Sequence, residues 1–470
     1  MMNNINQKIF NIRYKLVFWV LVSIRLYFNW TLPLMDKTEA RYGEIARLMC
    51  ETGNWITPQI DYGIPFWGKP PLSIWASALS ISIFGPAEVF LRLPHLIVFI
   101  LVAFFIGKYR KDENQSMYLP GIIILTIPEF YIHAGVVSTD AFLSISTAIV
   151  MFGFWEALKE NTKAYWGYLL FLGIGIGLLT KGPIILILTL PPIFIWALTT
   201  KNLKKVFIRI PWIVGISISL GISLPWYILA ELSTPGFIDY FIIGEHFDRY
   251  FNSKWEGDKY GFPKQQPFGM AWVFLVSFLL PWTIALFQIL IKKWKSIRQN
   301  SWMLFLIFWC AWTPLFFTSS KSLIHPYILP SCIPAALIIS FYWTSLRSKK
   351  LYASIAIGLP ILLFIVHISG AAKSFYNHTT DKYLISNLDK VKKMYVLDSK
   401  SYSSQFYTQG KIQLIKINQL KNVLVSQKPF YIIISNNRFK LLNYSIKKKL
   451  RKIDSNKKTG IYEFDPSIKN

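Results

Sequence analysis

The sequence predicts a mostly α-helical membrane protein, a polytopic transmembrane bundle with a small soluble α/β domain at its C-terminus. Of its 470 residues, 53% are hydrophobic and only 16% are charged, whereas soluble proteins carry about a quarter charged residues. Many apolar runs approach the roughly 20 residues that a helix needs to cross a bilayer. Short clusters of basic residues separate these runs. Together, these observations predict a multi-span helical protein.

The apolar runs predict about eleven spans, and at most thirteen, within a transmembrane domain over 1–370. No small-residue cleavage site follows the first run, so we expect an uncleaved first span. Leu72–Phe84 is short for a span, and we expect a helix that lies in the interface or re-enters it. The predicted spans are 15–34, 90–107, 117–136, 140–158, 165–180, 183–199, 207–229, 269–291, 302–318, 323–343 and 351–370.

The basic clusters orient the predicted spans. When loops are assigned alternately to the two faces, six short clusters fall on one face, which the positive-inside rule makes cytoplasmic. The extracytoplasmic face then receives the first loop, 35–89, the loop 230–268 and everything after residue 370. The clusters are Lys8/Arg13/Lys15, Lys108/Arg110/Lys111, Lys159/Lys163, Lys201/Lys204/Lys205/Arg209, Lys292/Lys293/Lys295/Arg298 and Arg347/Lys349/Lys350.

The C-terminal segment 371–470 differs in character from the apolar part. Strand-like runs occur at 393–397, 412–417, 430–434 and 461–464, and helix-like runs lie between them. Alternating helical and strand patterns are typical of an α/β unit. We therefore predict a small extracytoplasmic α/β domain.

The formal net charge of +27 would suggest a nucleic-acid partner in a soluble protein. In a membrane protein, basic residues hold loops in the cytoplasm and contact anionic headgroups, so we expect membrane lipids and no nucleic acid. The three cysteines, Cys50, Cys310 and Cys332, have no paired spacing. They predict neither a disulfide framework nor a zinc motif.

Residues 38–52 of the first extracytoplasmic loop have the periodicity of an amphipathic helix that ends at Gly53. Such a helix is expected to lie along the membrane surface. Its polar side carries Arg41, Glu44, Arg47 and Glu51.

The same loop concentrates carboxylates and cations, and two interpretations stay open. Asp36 and Glu39 have the spacing of a capping box at the start of a helix. Alternatively, these carboxylates act together with Arg41 and Lys69 in a group transfer from a phosphate leaving group, which needs an acid–base group and cations.

These residues carry a resemblance to a known family. The segment 36–94 contains TEARYGEIARLM, TGNWITPQIDYGIPFWGKPPL and FLRLP. It resembles the first extracytoplasmic loop of the aminoarabinose transferase of lipid A and its relatives, which are GT-C-type glycosyltransferases similar to protein O-mannosyltransferases. Further matching pieces follow in order at 138–140, 179–183, 224–227, 235–237, 245–246, 320–321 and 327–330, with a weaker one at 406–409.

The resemblance implies an inner-membrane glycosyltransferase that takes a sugar from a polyprenyl-phosphate carrier. Its acceptor, which is lipid A, another glycolipid or a protein, lies outside the cytoplasm. The family places a catalytic carboxylate in the first loop, but Thr38 stands at the usual aspartate position. The resemblance therefore leaves Asp36 or Glu39 as the catalytic carboxylate, with Asp36 favoured.

The resemblance also implies a binding site for the donor phosphate. Lys69 matches the lysine that meets the lipid phosphate, held in a turn made rigid by Pro70 and Pro71. The alternative for Lys69 is an interfacial lysine that reaches toward the headgroups. Gly68 stands where relatives often carry a glutamate, so we expect no required metal. Arg41 would orient the carboxylates or the phosphate, unless it only pairs with Glu44 on the helix surface.

The later matching pieces add further candidates. Asp140 begins a span and serves either as a helix cap or in catalysis. Lys181 and Lys321 are predicted on the same face as the first loop, as phosphate contacts or as ordinary membrane anchors. Arg25 and Arg92 are costly in hydrocarbon, and we expect them in the protein interior. The candidate supporting residues are Tyr42, Pro70, Pro71, Arg92, His246 and Tyr327, and His325 is a further histidine that either bonds within the core or binds a ligand.

Two other functions remain open at this stage. A transporter or flippase would move a lipid-linked sugar without breaking a bond, but it would carry charges inside several spans and repeat symmetry. An inactive family member would explain the departures at Thr38 and Gly68. The sequence identifies neither the sugar nor the acceptor, for which selectivity is expected in the loop 230–268.

Overall fold

A computed structural model describes residues 2–109, 116–251, 257, 259–260, 265–389, 391–425 and 428–467. The chain divides into two compact units. The first comprises Met1–Trp30 and Asn54–Phe364, and the second comprises Thr31–Gly53 and Ile365–Asn470. The second unit thus takes in part of the first predicted loop as well as the C-terminal segment. Within the predicted loop 230–268, residues 252–256, 258 and 261–264 lie outside the described residues.

The first unit is built almost entirely of helices. Their sequences are apolar nearly all round, as is typical of helices that are buried or surrounded by lipid. A π-helix, Asp239–Asp248, and a 3₁₀ turn, His325–Ile328, interrupt the regular helices. The helices are α1 (Met2–Thr31), α3 (Leu72–Phe84), α4 (Glu88–Lys108), α5 (Tyr118–Leu125), α6 (Pro128–His133), α7 (Thr139–Ala157), α8 (Tyr165–Lys181), α9 (Ile184–Thr199), α10 (Leu203–Arg209), α11 (Trp212–Ser233), α12 (Arg249–Phe251), α13 (Met270–Phe278), α14 (Trp282–Gln299), α15 (Ser301–Phe316), α16 (Leu329–Phe341) and α17 (Lys349–Ile368), beside a short hairpin of β1 (Gln59–Asp61) and β2 (Ile64–Pro65).

Several of these helices are long and apolar enough to cross a membrane. Among the described residues, five helices have the length and the apolar composition of a membrane span. The pair α13–α14, which is bent by 104°, would be a sixth if it forms one broken span. Four further apolar helices are shorter than a full span, namely α3, α8, α9 and the segment His325–Phe341. The prediction of a helical protein with several apolar helices is therefore confirmed. The five long helices are Glu88–Gly107, Thr139–Ala157, Trp212–Ser233, Ser301–Ser319 and Lys349–Ile368.

Close packing of α7 against α8 sets the geometry of the candidate site. A Cβ added to Gly153 of α7 would lie 2.7 Å from the backbone nitrogen of Leu170 in α8. Only a glycine permits so close an approach of two helix backbones. Because consecutive helices joined by a short loop run antiparallel, the start of α7 and the end of α8 lie at the same end of the pair.

The second unit contains a five-stranded mixed sheet with strand order β4-β3-β5-β7-β6. β3 pairs in parallel with β4 and β5, whereas β7 is antiparallel to β5 and β6. The central strand β5 is buried on both faces, as its continuous apolar sequence favours. The strands are β3 (Lys393–Leu397), β4 (Gln413–Ile415), β5 (Phe430–Ser435), β6 (Arg451–Ser455) and β7 (Thr459–Phe464). Of these strands, the sequence patterns did not predict β6.

The second unit also contains helices, and one of them, which packs against the helix Tyr402–Tyr407, comes from the first predicted loop. That helix, α2 (Thr38–Thr52), ends at Gly53 as the sequence predicts. The expected exposure of its whole polar side is wrong. Glu44 and Arg47 are buried, because the two side chains form a bidentate ion pair at 2.7 and 2.8 Å that satisfies both charges. The other helices are α18 (Lys373–Tyr376), α19 (Lys382–Ile385), α20 (Tyr402–Tyr407), α21 (Ile417–Val425), α22 (Asn436–Lys440) and α23 (Tyr444–Lys447).

Candidate active site

A cavity of about 250 Å³ in the first unit gathers most of the charged residues that sequence reasoning singled out in this unit. Its wall combines aromatic and aliphatic side chains with a small number of ionised groups. Such a mixture is typical of a ligand site, because apolar surface supplies binding energy and the few polar groups fix orientation. The lining residues with carboxylate, imidazole or cationic side chains are Lys69, Asp140, Lys181, Glu245, His246 and Arg249.

The first ion pair in the cavity joins Asp140 and Lys181. Asp140 lies in the first turn of α7, and Lys181 is the last residue of α8, so the antiparallel packing brings them together. The Lys181 ammonium lies 2.5 Å from the Asp140 carboxylate and 4.1 Å from the centroid of the Tyr327 ring. Both side chains are nearly buried. Ion pairing and the face of the Tyr327 ring stabilise the buried ammonium.

The second group of charges centres on Glu245, in the π-helix. Lys69, in the turn before α3, places its ammonium 2.7 Å from the Glu245 carboxylate, and the Arg249 guanidinium lies 3.0 Å away. Burial raises the pKa of Glu245, but the charges of Lys69 and Arg249 outweigh burial and lower that pKa to about 2. Glu245 is therefore a fixed anion that holds two cations side by side.

His246 connects the two groups of charges. Its ring lies between two backbone carbonyls, with Nδ1 2.7 Å from the oxygen of Phe241 and Nε2 3.2 Å from that of Lys181. Burial, together with the charge of Lys69, lowers the pKa of His246. The ring is therefore a neutral positioning group near pH 7, and it donates its single N–H to one of the two carbonyls. Gly182 makes this packing possible, because its φ of +79° and its approach to Phe241 leave no room for a Cβ.

The charge balance makes the cavity suitable for an anion. Among the described residues that line it, three are cations and two are carboxylates. Each carboxylate neutralises cations that an incoming anion would also approach, and one positive charge remains in excess. Preorganised cations in a partly dry site bind phosphate oxygens more strongly than they do in water. The arrangement is chemically suited to a phosphate that is attached to an apolar group.

The predicted first-loop carboxylate Asp36 belongs to the second unit. It accepts hydrogen bonds from Ser403, through the backbone N–H at 3.1 Å and through the hydroxyl. Burial raises the pKa of Asp36 to about 6, and the nearby Asp381 carboxylate adds to the rise against the hydrogen bonds of Ser403. The capping-box interpretation therefore does not describe Asp36, whose carboxylate bonds a residue that is distant in the sequence.

The other predicted first-loop residues also lie in the second unit. The Glu39 carboxylate accepts a hydrogen bond from the backbone N–H of Met35 at 3.5 Å. The Arg41 guanidinium lies over the ring of Tyr42, 5.5 Å from its centroid, and Tyr42 is buried. Glu44, the alternative partner proposed for Arg41, is paired with Arg47.

The remaining sequence-predicted residues fall inside and outside the cavity. Tyr327 lines it, while Lys321 is exposed and is not among the described lining residues. Pro70 and Pro71 are buried next to Lys69, and α3 begins directly after them. Arg92 is buried and donates a hydrogen bond to the carbonyl of Asn29 at 3.0 Å.

Sequence reasoning did not include Glu245 and Arg249 among the candidate site residues. A signal for them was present, because they are opposite charges four residues apart within an extracytoplasmic loop. On a regular helix that spacing is common and indicates only a surface ion pair. The partner that makes it a site, Lys69, is 176 residues away in the sequence.

Comparisons with known proteins agree with the resemblance predicted from the sequence. Residues 14–241 match the family model of the dolichyl-phosphate-mannose-protein mannosyltransferases. The undecaprenyl phosphate-alpha-4-amino-4-deoxy-L-arabinose arabinosyl transferase of Enterobacter sp. (strain 638) is 29% identical over 67% of this chain and 56% of its own length. The corresponding protein of Wigglesworthia glossinidia brevipalpis is 28% identical over 77% of this chain and 65% of its own length. The predicted resemblance is confirmed, and the chain spans less than two thirds of the length of these relatives.

Solved structures share the fold. The crystal structure of ArnT from Cupriavidus metallidurans bound to undecaprenyl phosphate superposes with a TM-score of 0.75 at 16% identity, over 95% of this chain and 97% of that one. The archaeal oligosaccharyltransferase AglB from Archaeoglobus fulgidus, in complex with an inhibitory peptide and a dolichol-phosphate, has a TM-score of 0.52 at 11% identity, over 90% of this chain and 69% of that one. At these identities the likeness shows the fold alone.

Proposed function

We propose that this chain, similar to the dolichyl-phosphate-mannose-protein mannosyltransferases and the aminoarabinose transferases, is a membrane glycosyltransferase. It would move a sugar from a polyprenyl phosphate to an acceptor outside the cytoplasm. The observation that carries the proposal is the cavity in which Lys69, Lys181 and Arg249 converge among apolar side chains. A lipid-linked phosphate needs both kinds of surface. The curated relatives are named as transferases that use an undecaprenyl-phosphate-linked sugar.

The reaction is a displacement at the anomeric carbon of the sugar. The acceptor hydroxyl oxygen forms a bond to that carbon, and the bond from the carbon to the phosphate oxygen breaks. The phosphate leaves with the electron pair, and a carboxylate takes the hydroxyl proton. Cations that face the leaving phosphate lower the barrier because negative charge increases there in the transition state.

The cavity residues have separate roles in this displacement. Lys69 and Arg249 face the phosphate as a pair, and Glu245 sets the distance between them. Lys181 binds the phosphate from the other side. When it does so, its ion pair with Asp140 weakens, and the Asp140 carboxylate becomes available to accept the proton of the acceptor.

The family resemblance supports a different base, the first-loop carboxylate Asp36 or Glu39, with Arg41 and Tyr42 as its supporting residues. The two assignments make opposite predictions. If Asp140 is the base, Asp140→Asn removes transfer and the double variant Asp36→Asn/Glu39→Gln keeps it. If a first-loop carboxylate is the base, the double variant loses transfer and Asp140→Asn retains part of it.

We further propose the membrane arrangement that the sequence predicts, with about eleven spans in a bacterial inner membrane. Shorter and broken apolar helices such as α8, α9 and the pair α5–α6 would then count as spans. The first loop, 35–89, and the domain after residue 370 would lie on the periplasmic side. The acceptor would be lipid A, another glycolipid or a protein. Since three protein cations face the leaving phosphate and Gly68 offers no carboxylate, we propose that the transfer itself needs no metal.

Mass spectrometry of lipid A and of surface proteins tests the proposal, with the parent strain, a deletion strain and the complemented deletion strain compared. A sugar mass that is lost on deletion and restored on complementation supports it and identifies both the sugar and the acceptor. Loss of a flippase would also remove the sugar from an acceptor outside the cytoplasm, so the purified protein decides between these two functions. Release of free undecaprenyl phosphate from the lipid-linked sugar supports a transferase, whereas movement of the intact lipid-linked sugar across vesicles would indicate a flippase. In a parallel assay, purified protein that binds undecaprenyl phosphate but transfers no sugar would indicate an inactive family member.

A further inference from the structure

Three ionisable side chains that the proposed transfer does not use form a cluster in the first unit. Glu129 and His133 lie four residues apart on α6, which places them on one side of that helix. His325 begins the 3₁₀ turn before α16 and faces them. One carboxylate oxygen of Glu129 lies 3.0 Å from Nε2 of His133 and 2.9 Å from Nδ1 of His325. One atom from each residue lies within 4.8 Å of the others.

The burial of this cluster requires a compensating positive charge. Glu129 is 0% exposed and His133 is 4% exposed. An ionised carboxylate that is removed from water costs several kcal/mol unless it is paired. His325 supplies one contact to this carboxylate, because its Nδ1 lies 2.9 Å from both oxygens of Glu129.

His133 is not accounted for by hydrogen bonding. Both of its ring nitrogens are buried, and neither has a hydrogen-bond partner among the described residues. The 3.0 Å separation from Glu129 is short, but the N–H direction does not meet the requirements of a hydrogen bond. Buried polar atoms are rarely left without a partner. A third species placed between the two groups would supply what is missing.

We propose that Glu129, His133 and His325 bind a divalent transition-metal ion. Two imidazoles and one carboxylate form a donor set that suits Zn²⁺. A tetrahedral ion with bonds of about 2.0–2.2 Å holds its ligand atoms roughly 3.3–3.5 Å apart. The observed separations of 2.9–3.0 Å would open by a few tenths of an ångström on binding.

The ion would have a structural role beside the cavity, whose described lining does not include its three ligands. It would connect α6 to the 3₁₀ turn that precedes α16. In the sequence these two elements are separated by residues 134–324. The side chain of His325 is 41% exposed, so water can reach the position that the three protein ligands leave open. The aromatic ring of Phe278, stacked on His325 at a centroid distance of 4.8 Å, holds that imidazole in place. This inference stands independently of the proposed transferase activity.

Metal content of the full-length protein tests the proposal directly. The protein is purified in lipid nanodiscs without a polyhistidine tag, equilibrated with zinc chloride, desalted and analysed by mass spectrometry for bound metal. We expect about one zinc per chain in the unmodified protein, and less than about a tenth of that in His133→Gln and His325→Gln. The matched control, His378→Gln, replaces a half-buried histidine of the second unit whose ring nitrogens are buried, and it keeps the zinc.

Two further measurements keep the test decisive if a variant folds poorly. Cobalt bound to the unmodified protein is expected to show the intense visible absorption of a four-coordinate site, and zinc is expected to abolish it. Lys69→Ala should retain the zinc even where it loses polyprenyl-phosphate binding, which separates this proposal from the transferase. An unmodified protein that retains no zinc, or zinc that persists in both His133→Gln and His325→Gln, would overturn the proposal and leave His325 as a hydrogen-bonding partner of Glu129.

Discussion

Each cation that lines the cavity is held by a buried carboxylate before any ligand arrives. Lys181 pairs with Asp140, and Lys69 shares Glu245 with Arg249. A cation without such a partner would be costly to bury. Pairing therefore places the ammonium groups without neutralising the cavity, in which one positive charge remains in excess.

The first prediction concerns Lys69. Lys69→Ala should weaken the binding of undecaprenyl phosphate by about 10- to 100-fold, since a hydrogen bond between charged groups contributes about 1.5–3 kcal/mol. Titration calorimetry in nanodiscs measures the affinity. The control Lys295→Ala removes an exposed lysine that is not among the described lining residues, and it should change the affinity less than about twofold.

Lys321 separates the sequence prediction from the cavity geometry in the same titration. The sequence predicts that this lysine contacts the phosphate, whereas it is exposed and outside the described lining. The geometry predicts that Lys321→Ala binds as the unmodified protein does. A loss equal to that of Lys69→Ala would contradict our assignment of the phosphate site.

The second prediction concerns the pH dependence at Asp36. Burial and the neighbouring Asp381 raise the pKa of Asp36 from 3.8 to about 6. Between about pH 4 and pH 6, the carboxyl of Asp36 keeps its proton in the folded state but has lost it in the unfolded state. The contribution of Asp36 to local stability is therefore greatest below about pH 4 and is lost as the pH rises through 6. The difference of about 2.2 pKa units corresponds to at most about 3 kcal/mol.

Hydrogen exchange in peptides that cover residues 401–407 measures this effect. After correction for intrinsic rates, protection of the Ser403 amide, which donates to Asp36, should be greater at pH 5 than at pH 7. Asp36→Asn should reduce this difference, and Asp389→Asn, at an exposed carboxylate of the same unit, should leave it unchanged. Equal pH dependence in the unmodified protein and in Asp36→Asn would contradict the prediction.

At the scale of elements, the end of α8 controls the candidate site. Lys181 is its last residue, and the chain then turns at Gly182, which has a φ of +79° and a ψ of −153°. Residues other than glycine rarely adopt this conformation. A Cβ at Gly182 would also lie 2.8 Å from the ring of Phe241 and 3.1 Å from that of His246. One turn therefore sets the positions of both Lys181 and His246.

The third prediction follows from that turn. Gly182→Ala should destabilise the protein by about 1–3 kcal/mol through backbone strain, with a further loss of undecaprenyl-phosphate affinity because Lys181 is displaced. Thermal unfolding in nanodiscs and the binding titration measure the two effects. The matched control Gly358→Ala lies in α17, and its new Cβ would meet nothing within 4 Å. It should be neutral or stabilising by up to about 1 kcal/mol, and similar behaviour of the two variants would contradict the role of Gly182.

At the scale of the whole molecule, the distribution of basic residues predicts the orientation in the membrane. The cluster around Lys295 is predicted in the cytoplasm, and the domain after residue 370 is predicted outside it. The exposed residues Lys295 and Lys411 therefore lie on opposite sides of the membrane in our proposal.

The fourth prediction tests this orientation in intact cells. In a background in which Cys50, Cys310 and Cys332 are replaced by serine, a membrane-impermeant maleimide should label Lys411→Cys but not Lys295→Cys. Permeabilised cells should show labelling of both, which controls for reactivity. Labelling of Lys295→Cys alone in intact cells would contradict the proposal and show that the orientation in the membrane is the opposite one.

The sequence by itself predicted the class of this protein and most of its local structure. The length of an apolar run and the position of a stop such as Gly53 are properties of neighbouring residues, so they can be read without knowing the fold. The same holds for the strand patterns of β3, β5 and β7. Resemblance of ordered motifs then identified Lys69, Asp140 and Lys181 as candidate site residues before any geometry was known.

Only the tertiary structure decided which of these groups meet. Lys69 contacts Glu245, 176 residues away, and Asp36 contacts Ser403, 367 residues away. Local spacing suggested a capping role for Asp36 and no site role for Glu245. The physical reason is that the burial and the partners of a side chain depend on which helix ends pack together, as the ends that carry Asp140 and Lys181 do. A local sequence pattern does not contain this information, because such packing joins residues that are distant in the sequence.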